Sequence, residues 1–327
     1  MKKTERIKMM INLEQCAQML LSKKSILFLC HAHPDGDTLG SAAALALALG
    51  QKGIDTAVLC DDTIADCYSF LLEGVKLEAD FEPELIASID VADTVLLGKN
   101  FQETYASEIE LCIDHHASNV LYAKNVWLEG NSASTAEMIY RLLKYIDAEI
   151  TKPIANALCT GVSTDTGCFR FSNTTPSTLR IAADLMEHGA DYSRIVQVFF
   201  ETKTKTYAAL EKLALDEMQL YLDSRCAIMP VTSEMFAKSN ASRSDTDRLS
   251  NLPRQIEGVL VGITMRELEE GGFKASVRTH GDVDASAICA RLGGGGHRGA
   301  AGCSLKLPKQ DAINALLKEV EKELESY

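Results

Sequence analysis

A short polar motif between a strand-like and a helix-like segment constrains the fold of this chain most strongly. The five apolar residues 26–30 have the length of a buried strand, and the Ala- and Leu-rich residues 39–49 are typical of a helix. Between them lies HAHPDGDT, with His31, Asp35 and Asp37. The motif is therefore a strand-to-helix loop. In open α/β sheets, ligands bind at such loops, at the carboxyl ends of the strands.

The three ligand-type side chains of this loop can converge on one point. Pro34 and Gly36 interrupt regular structure, so His31, Asp35 and Asp37 need not point to alternate faces of a strand. Imidazole together with carboxylates suits manganese, iron or zinc better than calcium. The alternative is an ordinary turn in which an Asp or Thr caps the following helix, and this motif alone does not decide between the two.

Length and composition are those of a folded protein with room for two domains. The chain has 327 residues, of which 46% are hydrophobic and 24% are charged. No apolar run reaches the roughly 18 residues of a membrane-spanning helix, and the start of the chain lacks a signal-peptide core. We therefore expect a cytoplasmic protein that does not contact a membrane.

Cysteine usage and net charge narrow the function further. The ten cysteines never occur as CxxC, which indicates reduced core residues, not a zinc site or a disulfide framework. The net charge of −13 disfavours binding of long nucleic acid, since that mode needs clustered Lys and Arg. We expect no binding of long duplex nucleic acid, while a short anionic substrate held by local groups is compatible with this charge.

The pattern of segments predicts an α/β protein whose first domain is a helix-covered parallel sheet. The predicted strands are residues 26–30, 56–60, 94–97 and 111–113, and the predicted helices are residues 39–49, 83–89, 132–143 and 153–167. Residues 176–215 have a helix-like pattern, and strand-like segments follow them. We expect an N-terminal domain at 1–195, a helical linker at 196–216 and a smaller α/β domain at 217–327.

Histidines and carboxylates cluster in a few short motifs. Asp114, His115 and His116 follow the strand at 111–113 and offer a carboxylate to orient a ring, a ring to bind metal and a ring to meet substrate. Asp165 adds a carboxylate at a helix end. Alone, the first set could be a hydrogen-bonded histidine pair and Asp165 a capping residue. Together with the first motif, they form a set that can hold two metal ions against a phosphate.

Four motifs in this order resemble the DHH phosphoesterase superfamily, and within it the branch of nano-RNases and pAp phosphatases. They are HxxPDxDxxGS at 31–41, DHH at 114–116, STDTGCFRFSN at 163–173 and GGGGHRGAAG at 293–302. The resemblance implies a metal-bearing domain, a helical linker and a DHH-associated domain that binds substrate. It also implies hydrolysis with one or two manganese ions, acting on short single-stranded oligonucleotides, linear dinucleotides or 3′-phosphoadenosine 5′-phosphate (pAp).

The resemblance also implies roles for individual residues. His31 and Asp35 resemble the ligands of one metal ion. The ligands of the other ion are implied to be Asp37, His115 and Asp165. His116 resembles the residue that faces the scissile phosphate, and Asp114 would orient its ring as the second member of a catalytic pair.

A substrate clamp is implied in the C-terminal domain. Its members are Arg278, Gly293, Gly294, Gly295, Gly296 and His297. The chemistry agrees, because glycines let backbone N–H groups approach a phosphate closely and an Arg can grip it with two hydrogen bonds.

One departure from the family pattern concerns an aspartate that bridges both metal ions. The family places it at the end of the third strand. The predicted strand at 94–97 is followed by Gly98, Lys99 and Asn100, and Asp93 stands at its other end. On this interpretation both metal sites are weakened. Lys99 could bring an ammonium group near the remaining carboxylates, and the alternative is an ordinary solvated lysine in a loop.

Three functions therefore remain open. The first is a phosphodiesterase or phosphatase for short oligonucleotides, cyclic-dinucleotide breakdown products or pAp. The second is a nucleotide-binding sensor of the same fold that lacks turnover because the bridging aspartate is absent. The third is a metallophosphatase with another substrate. A homodimer is compatible with the sequence, which does not determine the oligomeric state.

Overall fold

Two separate sheets organise the protein. The computed structural model describes residues 9–242 and 246–325. The chain divides into two compact units, Met1–Thr202 and Lys203–Tyr327, called here the N-terminal and C-terminal units. The predicted linker at 196–216 spans this division, and the bounds of the two domains and the linker stay predictions.

The N-terminal unit is built on a sheet of six parallel strands. They are β1 (Met9–Met10), β2 (Ser25–Leu29), β3 (Asp55–Leu59), β4 (Leu85–Ile89), β5 (Leu111–Asp114) and β6 (Asn125–Leu128). The order across the sheet is β1-β6-β5-β4-β2-β3. Every residue of β2, β4 and β5 is buried, because helices and loops cover both faces of a parallel sheet.

From residue 9 onward, seven α-helices of the N-terminal unit surround this sheet. They are α1 (Leu13–Leu21), α2 (Gly36–Gln51), α3 (Lys99–Tyr105), α4 (Thr135–Tyr145), α5 (Lys152–Asp165), α6 (Pro176–Glu187) and α7 (Tyr192–Val196). Helix α2 is almost entirely buried and lies very close to α5. A side chain at Gly40 would place its Cβ 2.2 Å from the Ala157 carbonyl oxygen, so the small residues of α2 are what permits this approach.

Two predicted elements of the N-terminal unit are wrong. Residues 83–89, predicted as a helix, contain strand β4, which pairs in parallel with both β2 and β5. Residues Thr94–Leu97, predicted as a strand, form a 3₁₀ helix. A short apolar run does not by itself distinguish helix from strand, and pairing with two neighbours outweighs the local preference of β4. In Thr94–Leu97, the Asp93 side chain accepts from the Val95 N–H and so caps a turn.

The C-terminal unit has its own mixed sheet. Its strands are β7 (Gln219–Tyr221), β8 (Cys226–Val231), β9 (Val261–Glu267), β10 (Phe273–Thr279), β11 (Gly295–His297) and β12 (Ala300–Leu305). Its helices are α8 (Lys205–Asp216), α9 (Ser233–Ser239), α10 (Thr246–Leu249), α11 (Ala285–Ala290) and α12 (Lys309–Glu325). The strand order is β11-β12-β10-β9-β8-β7, with only β8 and β9 parallel. The predicted α/β class with two sheets is confirmed.

Two apolar layers stabilise the C-terminal sheet. Helices α11 and α12 pack on one face, and α8 and α9 pack on the other face over β8. In the part of the chain that the structure describes, no helix is both long and apolar enough to cross a membrane.

Candidate metal centre

The carboxyl ends of three neighbouring strands bring the sequence motifs together. Strands β2, β4 and β5 lie side by side and run in parallel, so their carboxyl ends share one edge of the sheet. His31 lies two residues beyond β2, Asp90 directly follows β4, and Asp114 ends β5. Motifs that are far apart in the sequence therefore meet at this edge.

The first motif forms the loop between β2 and α2. Asp35 caps α2, because its Oδ1 accepts from the N–H groups of Asp37 (2.9 Å) and Thr38 (3.1 Å). This capping role coexists with a place in the site, since the same Oδ1 lies 3.7 Å from His31 Nε2. His31 Nδ1 donates to the Ala32 carbonyl oxygen at 2.8 Å, which leaves Nε2 to face a ligand.

Asp37 is a buried carboxylate fixed by two helices. It accepts from the backbone N–H groups of Thr135 (2.7 Å) and Ala136 (2.8 Å), at the start of α4. The positive end of the α4 dipole favours negative charge at this position. Gly161 of α5 packs against it, because a Cβ there would lie 2.8 Å from Asp37 Oδ1. The position of this carboxylate is thus set by the packing of α4 and α5.

Asp90 is the residue of the site that the sequence interpretation missed. It is 2% exposed, and its backbone φ of 61° lies in the left-handed region that few non-glycine residues adopt. Thr135 Oγ1 donates to its Oδ1 at 2.8 Å. That oxygen lies 3.7 Å from His115 Nε2 and 3.6 Å from His116 Nδ1, while Oδ2 lies 4.0 Å from His31 Nε2. The two oxygens therefore face different histidine-bearing loops.

The position of Asp90 corrects the expected absence of a carboxylate at this edge of the sheet. The strand that precedes DHH in the sheet is β4, not residues 94–97, and Asp90 follows it directly. Lys99 and Asn100 belong to helix α3, and Asp93 caps the 3₁₀ turn before it. The inference of weakened metal sites therefore loses its basis, because it rested on residues 94–97, which are not a strand. An acidic residue directly after the apolar run at 85–89 was the available signal.

Three overlapping sets of side chains could each hold a metal ion. Within each set, one ligand atom per residue lies within 4.8 Å of the others. The sets are His31, Asp35 and Asp90; Asp37, His115 and Asp165; and Asp90, His115 and His116. Asp90 and His115 each belong to two sets, so the three sets form one centre. The five predicted metal ligands all lie in this centre, and their ligation of metal stays a prediction.

The surroundings of His115 fit a bound cation. Its Nδ1 donates to the Ser132 carbonyl oxygen at 3.1 Å, so the ring is oriented. Its Nε2 is buried without a hydrogen-bond partner among the described residues. That atom lies 3.5, 3.7 and 4.0 Å from carboxylate oxygens of Asp165, Asp90 and Asp37. These distances are too long for hydrogen bonds, and a ring nitrogen facing three carboxylates is a suitable donor set for a transition metal.

Without metal, several side chains of the centre keep protons that they would ordinarily release at lower pH. Burial raises the pKa values of Asp37, Asp90 and Asp165, and the negative charges of neighbouring carboxylates add to each shift. Burial lowers the pKa of His31. The adjacent Asp35 carboxylate and the negative charge of Asp90 outweigh the effect of burial and raise that pKa to about 9. A divalent cation would supply positive charge in place of these protons.

His116 is held differently from the other histidines. Asp114 Oδ1 accepts from its Nδ1 at 2.8 Å, and Asn119 Nδ2 donates to Asp114 Oδ2 at 2.6 Å. The hydrogen bond to Asp114 raises the pKa of the His116 ring to about 9. The side chain is 43% exposed, so a charged ring is presented at the surface of the centre.

The six predicted clamp residues lie in the C-terminal unit. Arg278 of β10 stands opposite Ala300 of β12, which in turn stands opposite His297 of β11. Directly opposed residues of antiparallel strands share a face, so Arg278 and His297 lie on the same face of the sheet. The four-glycine run leads into β11, and a Cβ at Gly294 would lie 2.2 Å from the Gly302 carbonyl oxygen. Their role in binding stays a prediction.

Comparison with known proteins agrees with this architecture. Residues 25–162 match the DHH family N-terminal domain, and residues 226–326 match the DHHA1 domain. The chain is 31% identical over 308 residues to the bifunctional oligoribonuclease and PAP phosphatase NrnA of Thermus thermophilus, covering 90% of this chain and 88% of that protein. It is 25% identical over 321 residues to the cyclic-di-AMP phosphodiesterase GdpP of Geobacillus thermodenitrificans, covering 91% of this chain and 47% of that protein.

A solved structure shows the same fold. The crystal structure of an exopolyphosphatase-related protein from Bacteroides fragilis superposes with a TM-score of 0.84 at 23% identity, covering 95% of each chain. Fold and centre together define a two-domain hydrolase of the phosphoesterase class. The chain belongs to the DHH family, which confirms the resemblance carried by its four motifs.

Replacing Asp90 should remove metal from the centre. Asp90→Asn keeps the shape of the side chain and an acceptor for Thr135 but loses the negative charge, so manganese affinity should fall by at least about tenfold. The matched controls are Lys99→Asp and Asn100→Asp, which should leave bound manganese per chain unchanged. Elemental analysis after dialysis measures all four proteins. Full metal content in Asp90→Asn, or a gain in either control, would contradict the assignment.

The metal-free protein should become less stable as the pH rises from about 6.5 to 9. His31 and His116 have folded pKa values of about 9, above the unfolded value of about 6.5, so their favourable contribution is complete below pH 6.5 and is lost through pH 9. The raised pKa of Asp90 acts in the same direction, because the folded carboxyl keeps a proton that the unfolded chain has released. Urea unfolding in a chelator over this pH range measures the trend.

Manganese supplies the control for this pH dependence. Metal binding requires deprotonated ligands, so the stabilisation by manganese should increase over the same range. A free energy of unfolding that rises with pH in the metal-free protein would show that these groups are not protonated as described.

Proposed function

We propose that this chain is a manganese-dependent phosphoesterase that hydrolyses short single-stranded oligonucleotides, linear dinucleotides and pAp. The observation that carries the proposal is the position of Asp90, whose two oxygens face the His31 loop and the His115 loop. A carboxylate placed in this way suits a pair of metal ions, and paired ions are a common solution for phosphate hydrolysis. The Thermus thermophilus relative, a bifunctional oligoribonuclease and PAP phosphatase, supplies the substrate class.

The residues of the centre would divide the work between them. His31 and Asp35 would hold one ion, Asp37, His115 and Asp165 the other, and Asp90 would contact both. Divalent ions in such a centre supply activated water and neutralise charge on the phosphate. The chain itself orients His115 through the Ser132 carbonyl oxygen and positions Asp37 at the start of α4.

His116 would interact with the phosphate directly. Its Nδ1–H is bound by Asp114, and its raised pKa keeps the ring protonated at neutral pH. The Nε2–H group can therefore donate to a phosphate oxygen as negative charge develops on it. Asp114 holds the ring orientation and remains ionised, since the His116 and Asn119 hydrogen bonds hold its pKa below the ordinary value against the effect of burial.

The C-terminal unit would bind the rest of the substrate. Arg278 can form two hydrogen bonds to a phosphate, and the glycine run at 293–296 exposes backbone N–H groups beside His297. Local contacts of this kind suit a chain of net charge −13, which gains little from long-range attraction of polyanions.

The alternative of a nucleotide-binding sensor without turnover rested on the absence of a carboxylate at this sheet edge. Asp90 provides a carboxylate there, so this reason for the sensor no longer applies. The alternative of another phosphate substrate is tested by a substrate panel. We expect manganese-dependent release of mononucleotide from the RNA dinucleotide pApA and from a pentanucleotide, and of phosphate from pAp. A 24-nucleotide RNA should be a poor substrate. The proposal would be overturned if the protein hydrolysed none of the short substrates.

Arg278→Ala should raise KM for pApA by about 10- to 100-fold, because a bidentate contact to phosphate is lost. Bound manganese per chain should not change, since the residue lies outside the metal centre. Lys274→Ala is the matched control, because Lys274 lies on the same face of β10 four residues away and is exposed. Loss of manganese in Arg278→Ala, or an equal rise in KM in both variants, would contradict the clamp.

A further inference from the structure

An exposed phenylalanine lies in the loop that directly follows the metal-centre residue Asp165. The loop folds back on itself, because the N–H groups of Arg170 and Phe171 both donate to the Thr166 carbonyl oxygen at 3.0 Å. Asn173 Nδ2 closes the turn by donating to the Asp165 carbonyl oxygen at 3.2 Å. Phe171 is thereby held close to the backbone of Asp165.

The Phe171 ring rests on Gly167. A Cβ at Gly167 would lie 2.4 to 2.6 Å from three atoms of the ring, and the φ of +57° at Gly167 also favours glycine. One side of the ring is therefore supported by backbone. The side chain is nevertheless 43% exposed, so a substantial part of its apolar surface faces solvent.

Arg170 adds a cation beside this ring. Its Nε donates to the Gly167 carbonyl oxygen at 2.5 Å, and its guanidinium carbon lies 5.8 Å from the centre of the Phe200 ring. The charge is therefore held at the same turn that supports Phe171. A positive charge here favours an anionic ligand next to an otherwise acidic centre.

Exposure of this kind is rare in the chain. Of the aromatic side chains in residues 9–242 and 246–325, Phe171 and Tyr145 are the two that are exposed. Tyr145 ends α4, whose first turn binds Asp37, so ten residues of helix, about 15 Å, separate it from the centre. Phe171 is thus the one exposed aromatic side chain next to the metal centre in the described residues.

We propose that Phe171 is a stacking surface for a nucleobase of the substrate, with Arg170 supporting it through charge. The inference rests on the proposed function, because only a nucleotide substrate carries a base. An aromatic side chain binds any base through its flat face, and such stacking is sequence-tolerant. It also suits an acidic protein, which must hold a short anion by contacts other than long-range attraction. The occupant is the base adjoining the phosphate that is bound at the metal centre.

The test compares substrates with and without bases. The probes are pApA and an analogue in which hydrogen replaces both bases at C1′, measured with Phe171→Leu, Phe171→Trp and the control Tyr145→Leu in the manganese-loaded full chain. Phe171→Leu should raise KM for pApA by about 5- to 100-fold and leave KM for the base-free analogue unchanged. Phe171→Trp should retain the parent KM within about threefold, and Tyr145→Leu should match the parent.

A binding measurement separates this inference from the proposed function. The dissociation constant is measured by titration with pApA in which a methylene group replaces the bridging oxygen of the scissile bond. Suppose that the parent binds this probe, that Phe171→Leu weakens this binding 5- to 100-fold, and that the parent does not hydrolyse pApA. The stacking surface is then supported, and the proposed activity fails. The stacking role would be overturned if Phe171→Leu raised KM equally for pApA and the base-free analogue, or did not raise KM for pApA. It would also be overturned if the parent did not bind the methylene probe, or if Phe171→Leu changed the oligomeric state while its affinity stayed the same.

Discussion

The structure of the N-terminal unit depends on a cluster of buried carboxyl groups at one sheet edge. Asp37 and Asp90 are almost fully buried, and burying an unpaired carboxylate costs several kcal/mol. Hydrogen bonds from Thr135 and Ala136, the start of α4 and nearby imidazoles offset part of this cost. A bound cation would offset more of it through its positive charge, and the buried Nε2 of His115, which lacks a hydrogen-bond partner among the described residues, could be one of its ligands. Binding of a metal ion would therefore be coupled to folding of this edge.

The architecture around the cluster follows from the need to hold these groups in place. Parallel pairing of β2, β4 and β5 brings three loops to one edge, and helix α4 points its first turn at Asp37. Close packing of α2 on α5, which Gly40 and Gly161 permit, positions the remaining carboxylate at the end of α5. The loop after α5 then carries Phe171 beside the centre. Charge binding by Asp165 and base binding by Phe171 would in this way come from one short segment of the chain.

The motif residues and the fold class could be predicted from sequence, and one residue of the centre could not. His31, Asp35, Asp37, His115 and Asp165 stand in recognisable patterns next to apolar segments, and the structure brings them together. Asp90 stands alone after a run that includes Glu84 and alanine, which reads as a short helix. Its position becomes evident only from pairing of β4 with two neighbours, and a pairing partner is not encoded in the local pattern. The same error put residues 94–97, which form a 3₁₀ helix, in the place of strand β4. The relation of Arg278 to His297 also required strand register, since 18 residues and a helix separate them in sequence.

Anomalous diffraction from crystals grown with manganese tests the central claim most directly, because it locates the ions themselves. We expect two manganese peaks per chain at the carboxyl edge of the N-terminal sheet, with Asp90 contacting both through its two oxygens. His31 and Asp35 should contact one peak, and Asp37, His115 and Asp165 the other. A single peak, or two peaks of which Asp90 contacts neither or only one, would contradict the account.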